Sequence, residues 1–225
     1  MSLRVRERLG PADLLTLLNA IIGVAAMIAA VIGSPDLTAR LILLAAVADA
    51  LDGIVARRYG ATAVGPVLDS VADVVSFGTA PAMFVFAVIY GAFAPLSGPL
   101  EYGLTLGVPA CFVVFSILRT ALYTVHVGAD ERRPGIQNTL GASILAAGYL
   151  AGFTGLLIIA TATVILSLLM VAPIPYPKLR ARDAFVMGVV QIGAIAQPTV
   201  LDRILPRILL IAALLYLVLA PRYYR

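Results

Sequence analysis

The chain has no tryptophan, one cysteine (Cys111) and one histidine (His126) in 225 residues, and only 12% of its residues are charged. A single cysteine allows no disulfide framework within the chain, and one histidine beside it allows no Cys/His metal site. Cys111, in an apolar run, is read as a packing residue, and His126 as a solvated residue at a helix end. The shortage of charge excludes an ordinary soluble domain, which is nearer a quarter charged. Hydrocarbon takes its place: 61% of the residues are hydrophobic and the mean hydropathy is +1.02. That is the composition of an all-α integral membrane protein. The net charge of +4 and the pI near 9.5 come without aromatic–basic interleaving. The basic side chains are therefore assigned to anionic lipid rather than to nucleic acid.

A span across about 30 Å of hydrocarbon needs about 20 apolar residues. Eight segments qualify as candidates: 13–33, 37–59, 66–90, 103–125, 138–153, 155–173, 182–197 and 205–220, the fifth and seventh being short. Breakers separate them at Gly33-Ser34-Pro35, Gly65-Pro66, Pro95 to Pro99, Pro134-Gly135, Pro173 to Pro177 and Pro198. The connections leave no room for a soluble domain, so residues 1–225 are expected to form one polytopic helix bundle. The basic N-terminus lacks a small-residue cleavage pattern and is expected to be a retained cytoplasmic cap. With it inside, twelve basic residues fall on the cytoplasmic side: Arg4, Arg6, Arg8, Arg57, Arg58, Arg132, Arg133, Lys178, Arg180, Arg182, Arg222 and Arg225. Only Arg40, Arg203 and Arg207 face the other side. This asymmetry predicts eight spans with both termini in the cytoplasm.

One stretch breaks the hydrocarbon. Between Asp49 and Asp73 the chain carries Asp49, Asp52, Asp69 and Asp73, with Gly53, Ala56, Arg57 and Gly65 among them. Asp49 and Asp52 are three apart and Asp69 and Asp73 four apart, so each pair projects from one helix face. Unpaired carboxylates at a membrane boundary are costly. They can be matched by Arg40, Arg57, Arg58 and Arg119 as interhelical ion pairs, or by a cation. The clustering favours a cation, and oxygen-only ligands favour a hard one such as Mg²⁺, Mn²⁺ or Ca²⁺. Gly53 and Ala56 leave space near the helix backbone, and Arg57 suits phosphate oxygens. Together these residues point to metal-assisted phosphoryl chemistry on a diphosphate at the cytoplasmic boundary. A divalent-cation transporter would use the same carboxylates. It would also need polar positions continuing through other spans, where the one intramembrane charge is the cation Arg119.

The pattern Asp49-x-x-Asp52-Gly53-x-x-Ala56-Arg57 followed by Gly65-x-x-x-Asp69-x-x-x-Asp73 resembles the signature of the CDP-alcohol phosphatidyltransferases. Leu68 to Gly78 with Ala80-Pro81-Ala82, Leu18-Asn19 with Gly23, Leu118-Arg119 and Tyr176-Pro177-Lys178 are similar to the phosphatidylserine synthase branch. The turn Arg58-Tyr59-Gly60-Ala61-Thr62 resembles archaeal members, whose lipid would be CDP-archaeol. Two departures stand out: seven residues separate Arg57 from Gly65 where the family has eight or more, and Leu122 replaces a second arginine. The resemblance implies transfer of a phosphatidyl or archaetidyl group from a CDP-lipid to L-serine with release of CMP. Inositol phosphate and glycerol phosphate are the alternative acceptors. It also implies two Mg²⁺ or Mn²⁺ ions on Asp49, Asp52, Asp69 and Asp73, with Asp73 as general base, a plasma-membrane location and a homodimer. Gly53, Ala56, Arg57 and Gly65 would line the nucleotide and diphosphate site, with Thr16 and Asn19 as polar contacts. Arg119 would bind the acceptor's carboxylate or a lipid phosphate, or pair with an aspartate. Gln137 and Asn138 would line the acceptor pocket or cap their helix.

Overall fold

The computed structural model describes residues 9–126, 133–177 and 181–223. Of the basic residues behind the charge asymmetry, Arg4, Arg6, Arg8, Arg132, Lys178, Arg180 and Arg225 lie outside the described residues, as do the side chains of Arg133 and His126. The order is α1 (Pro11–Val31), α2 (Pro35–Tyr59), α3 (Gly65–Asp73), a π-helical segment (Val74–Thr79), α4 (Ala80–Phe93) and α5 (Pro99–His126). There follow β1 (Arg133–Pro134), α6 (Asn138–Leu150), α7 (Leu156–Met170), β2 (Pro175–Tyr176), α8 (Ala181–Ala196) and α9 (Val200–Tyr223). Because α3, the π segment and α4 are continuous over Gly65–Phe93, the described residues form eight helical rods. Each overlaps one of the eight apolar segments read from the sequence.

Proline opens several rods where its missing N–H costs nothing, at Pro11, Pro35, Pro66 and Pro99. Glycines close two of them: Gly33 and Gly60 adopt φ +76° and +91°. Four rods are long and apolar enough to cross a membrane: Pro11–Val31, Gly65–Phe93, Pro99–Leu122 and Val200–Tyr223. α2 has the length, at 25 residues, but carries Asp36, Arg40, Asp49, Asp52, Arg57 and Arg58. α6, α7 and α8 have 13, 15 and 16 residues. At 1.5 Å per residue they reach only about 20–24 Å. The protein is an all-α membrane protein.

Small residues let the first rods approach closely. Ala26, Ala29 and Ala30 of α1 and Ala39, Ala45 and Ala46 of α2 are buried where these helices make the bundle's most extensive interface. A Cβ at Gly23 would come within 2.8 Å of the Ser76 Cα, so only glycine admits the π segment here. The core behind them is built on Phe77, Phe84, Phe112, Ile42 and Leu43, all fully buried. The outer surface is apolar too, with Leu14, Ile21, Leu157, Phe185 and Val218 exposed, as lipid contact requires.

α9 begins irregularly. Leu201, Asp202 and Arg203 have φ between +46° and +65°. Arg203 Nη1 donates to the Leu150 carbonyl (3.3 Å) and Arg207 Nε to that of Ala151 (3.5 Å), satisfying the end of α6. β1 and β2 pair antiparallel, Arg133 with Tyr176. Beside them Gly135, at φ +75°, lies so close to the Met170 carbonyl that a Cβ would overlap it. Gly135→Ala is therefore expected to destabilise the fold by more than about 1 kcal/mol, read as a lower thermal unfolding midpoint in detergent. An unchanged midpoint would show that the loop gives way freely.

Candidate active site

The three carboxylates of Asp49, Asp69 and Asp73 each present an oxygen within 4.8 Å of the others. α2 supplies the first and α3 the other two, which share a face because they are four residues apart. Asp49 and Asp73 lie close enough to share a hydrogen bond. Asp69 is exposed, whereas Asp49 and Asp73 are half-buried. The π segment starts directly after Asp73, a placement common where a helix carries a functional side chain.

Asp52 departs from this group. Three residues beyond Asp49 it is turned about 60° around α2, toward α1, where it accepts a 2.7 Å hydrogen bond from Thr16 Oγ1. It lines a cleft of about 360 Å³ together with Thr16, Gly53, Ala56, Gly65 and Asp69. Four of the predicted substrate contacts thus lie on one cavity, of a size suited to a small organic ligand. Arg57 is exposed and is not among the lining residues, but its guanidinium folds over Gly53, which is: a Cβ there would lie 3.4 Å from Nη1.

Asn19 and Arg119 are not among the cleft's lining residues. Asn19 is fully buried one turn beyond Thr16, its backbone carbonyl accepting from Ser76 Oγ (3.0 Å), and neither amide atom has a hydrogen-bond partner among the described residues. Arg119, on α5, is 7% exposed and acts on Asp73 through charge. Gln137 is exposed. Asn138 points inward, its Nδ2 donating to Thr120 Oγ1 (2.8 Å) and to the Ser116 carbonyl (3.3 Å) rather than capping α6. The sequence reading missed Asp13, Thr62 and Ser70, which also line the cleft. The signal for Asp13 was available in the spacing Asp13-x-x-Thr16-x-x-Asn19, a polar line on an otherwise apolar helix.

The donor set suits a hard divalent cation. Three ionised carboxylates this close repel one another by about 3 kcal/mol per pair at an effective dielectric of about 20. A cation removes that penalty, and Asp73 Oδ1, buried and without a hydrogen-bond partner among the described residues, is available as a ligand atom. Asp49, Asp69 and Asp73 would hold such an ion, with Asp52 at the cleft side of the group.

Comparison with known proteins gives the chain a family. The profile of the CDP-alcohol phosphatidyltransferase family matches residues 10–174, from the start of α1 to the loop before β2. An archaetidylserine synthase of Methanothermobacter thermautotrophicus is 33% identical over 177 residues, covering 76% of this chain and 71% of that protein. A CDP-diacylglycerol–serine O-phosphatidyltransferase of Methanocaldococcus jannaschii is 31% identical over 183 residues, 77% of each chain. One of the same name from Mycobacterium leprae is 35% identical over 101 residues, 44% of this chain and 32% of that one. The matched region contains Asp49, Asp52, Asp69, Asp73 and every cleft residue described above, and the chain belongs to the CDP-alcohol phosphatidyltransferase family.

Proposed function

We propose that the protein transfers a phosphatidyl or archaetidyl group from a CDP-lipid to the hydroxyl of L-serine and releases CMP. The observation that carries this reading is the convergence of Asp49, Asp69 and Asp73 beside the cleft lined by Asp52, Gly53, Ala56 and Gly65. The names of both archaeal relatives support serine as acceptor; that of the Methanothermobacter protein supports archaeol as the lipid and that of the Methanocaldococcus protein diacylglycerol.

In this mechanism the cleft holds the nucleotide and Arg57 closes over the diphosphate. Asp49, Asp52, Asp69 and Asp73 would hold divalent ions, Mg²⁺ or Mn²⁺ with Ca²⁺ as another occupant, which would supply charge stabilisation at the diphosphate. Asp73 accepts the proton of the serine hydroxyl. The hydroxyl oxygen bonds to the lipid-side phosphorus, the anhydride P–O bond breaks, and CMP leaves with the electron pair. Arg119, held near Asp73, orients the acceptor's carboxylate. Thr16 keeps Asp52 turned to the cleft, and Asn19, buried one turn further along the same helix with no hydrogen-bond partner for its amide among the described residues, is the second polar contact from α1. The reading includes one membrane domain of residues 1–225 in the plasma membrane. It crosses eight times as a homodimer, with both termini and the site on the cytoplasmic face.

The test is CMP release and incorporation of labelled serine by the purified protein, given CDP-archaeol or CDP-diacylglycerol. Equal amounts of CMP and labelled lipid are expected, and neither without serine. Release with inositol phosphate or glycerol phosphate in place of serine would discard the acceptor. No release with any alcohol would overturn the whole reading.

A further inference from the structure

Asp13 and Thr62 tie the start of α1 to the turn between α2 and α3. Asp13 is 2% exposed and its Oδ2 accepts two hydrogen bonds, from the Gly10 N–H (2.7 Å) and from Thr62 Oγ1 (2.9 Å). Thr62 Oγ1 in turn accepts from the Gly65 N–H (3.0 Å), the first residue of α3. The packing around this relay is tight: a Cβ at Gly65 would stand 3.2 Å from Asp13 Oδ1, and one at Gly10 3.1 Å from Thr62 Cγ2. A buried carboxylate held by two donors defines a single arrangement, because losing either donor leaves an uncompensated charge.

The turn itself is only residues 60–64, with Gly60 at φ +91°. It sets both the height and the rotation at which α3 starts. Asp69 and Asp73 follow Gly65 by four and eight residues, one and two turns up the same face. Any shift of the α3 start is carried rigidly to both carboxylates, while Asp49 stays on α2. A displacement of about 1 Å is large against the tolerance of a metal site.

We propose that Asp13 and Thr62 are positioning residues: their hydrogen bond latches the α2–α3 turn onto α1 and thereby sets Asp69 and Asp73 against Asp49. This inference rests on the divalent-ion role given above to those three aspartates. It assigns Asp13 and Thr62 no contact with the reacting atoms.

The experiment is Mn²⁺ titration followed by electron paramagnetic resonance on the full-length protein in nanodiscs. Wild type, Thr62→Val, Thr62→Ser, Asp13→Ala and the Asp13→Ala/Thr62→Val double variant would be compared, with KM for the CDP-lipid and for the alcohol measured alongside. Thr62→Val, which keeps the shape and loses the hydroxyl, is expected to weaken Mn²⁺ binding by about 10-fold or more. It should raise KM for the CDP-lipid and leave KM for the alcohol near the wild-type value. Thr62→Ser should restore both. In the Asp13→Ala background Thr62→Val should add less than it does alone. Mn²⁺ affinity within twofold of wild type in Thr62→Val would overturn the proposal, as would a Thr62→Ser variant no better than Thr62→Val. Failure of the enzymatic reading is separable, since wild-type protein would then release no CMP while the titration still reports the latch.

Discussion

Asparagine at position 73 is expected to lower CMP release by about 10²–10⁴-fold, the usual worth of a general base. The change preserves side-chain volume and removes the basic oxygen. Asp73 lies close to Asp49, with which it can share a hydrogen bond, and within electrostatic reach of the buried Arg119. Its Oδ1 is buried and has no hydrogen-bond partner among the described residues. The loss should fall mainly on kcat, because the proton is accepted only as the new bond forms. An Asp73→Asn enzyme whose kcat stays within threefold of wild type would remove Asp73 from the base role. The neutral side chain also leaves Arg119 less well compensated, so a modest fall in thermal stability should accompany the loss of rate.

Stripping divalent ions with EDTA is expected to reduce turnover by about 10³-fold or more, with recovery on adding Mg²⁺ or Mn²⁺. The estimate follows from the several kcal/mol that a bound cation contributes at a developing phosphoryl charge, at about 1.4 kcal/mol per decade of rate. The same treatment should lower the unfolding midpoint, and the midpoint should climb with added Mn²⁺, because an ion that binds only the folded chain stabilises it by mass action. The source of that stabilisation is relief of the repulsion among Asp49, Asp69 and Asp73. Metal-free protein that retains full turnover would contradict the assignment of these carboxylates.

The helices were largely legible because proline and glycine mark nearly every boundary. Pro35, Gly65-Pro66 and Pro99 begin rods within two residues of, or close before, the apolar segments that follow them. Hydropathy could not give membrane crossings with equal clarity. α2 combines spanning length with six charges, and α6 to α8 are shorter than the hydrocarbon they would cross. The π segment had no local signature, since a single widened turn after Asp73 depends on Gly23 admitting Ser76 from another helix.

At the site, motif spacing placed Asp49, Asp69 and Asp73 together, and periodicity explains why. Spacing alone did not separate Asp52 from them, because the choice is made by Thr16 on α1. The link between Asp13 and Thr62 was not legible for a similar reason: the polar line on α1 marks Asp13 and the turn motif contains Thr62, but their bond joins residues 49 apart. Asn138 could be read either way from sequence, and the Thr120 and Ser116 side of α5 decides its direction.

The measurement closest to the central claim is anomalous diffraction from crystals of the full chain grown with Mn²⁺. The account predicts a manganese peak bounded by the carboxylates of Asp49, Asp69 and Asp73, on the side facing the Asp52 cleft. Manganese found only elsewhere, in a protein that still releases CMP in a metal-dependent way, would contradict it.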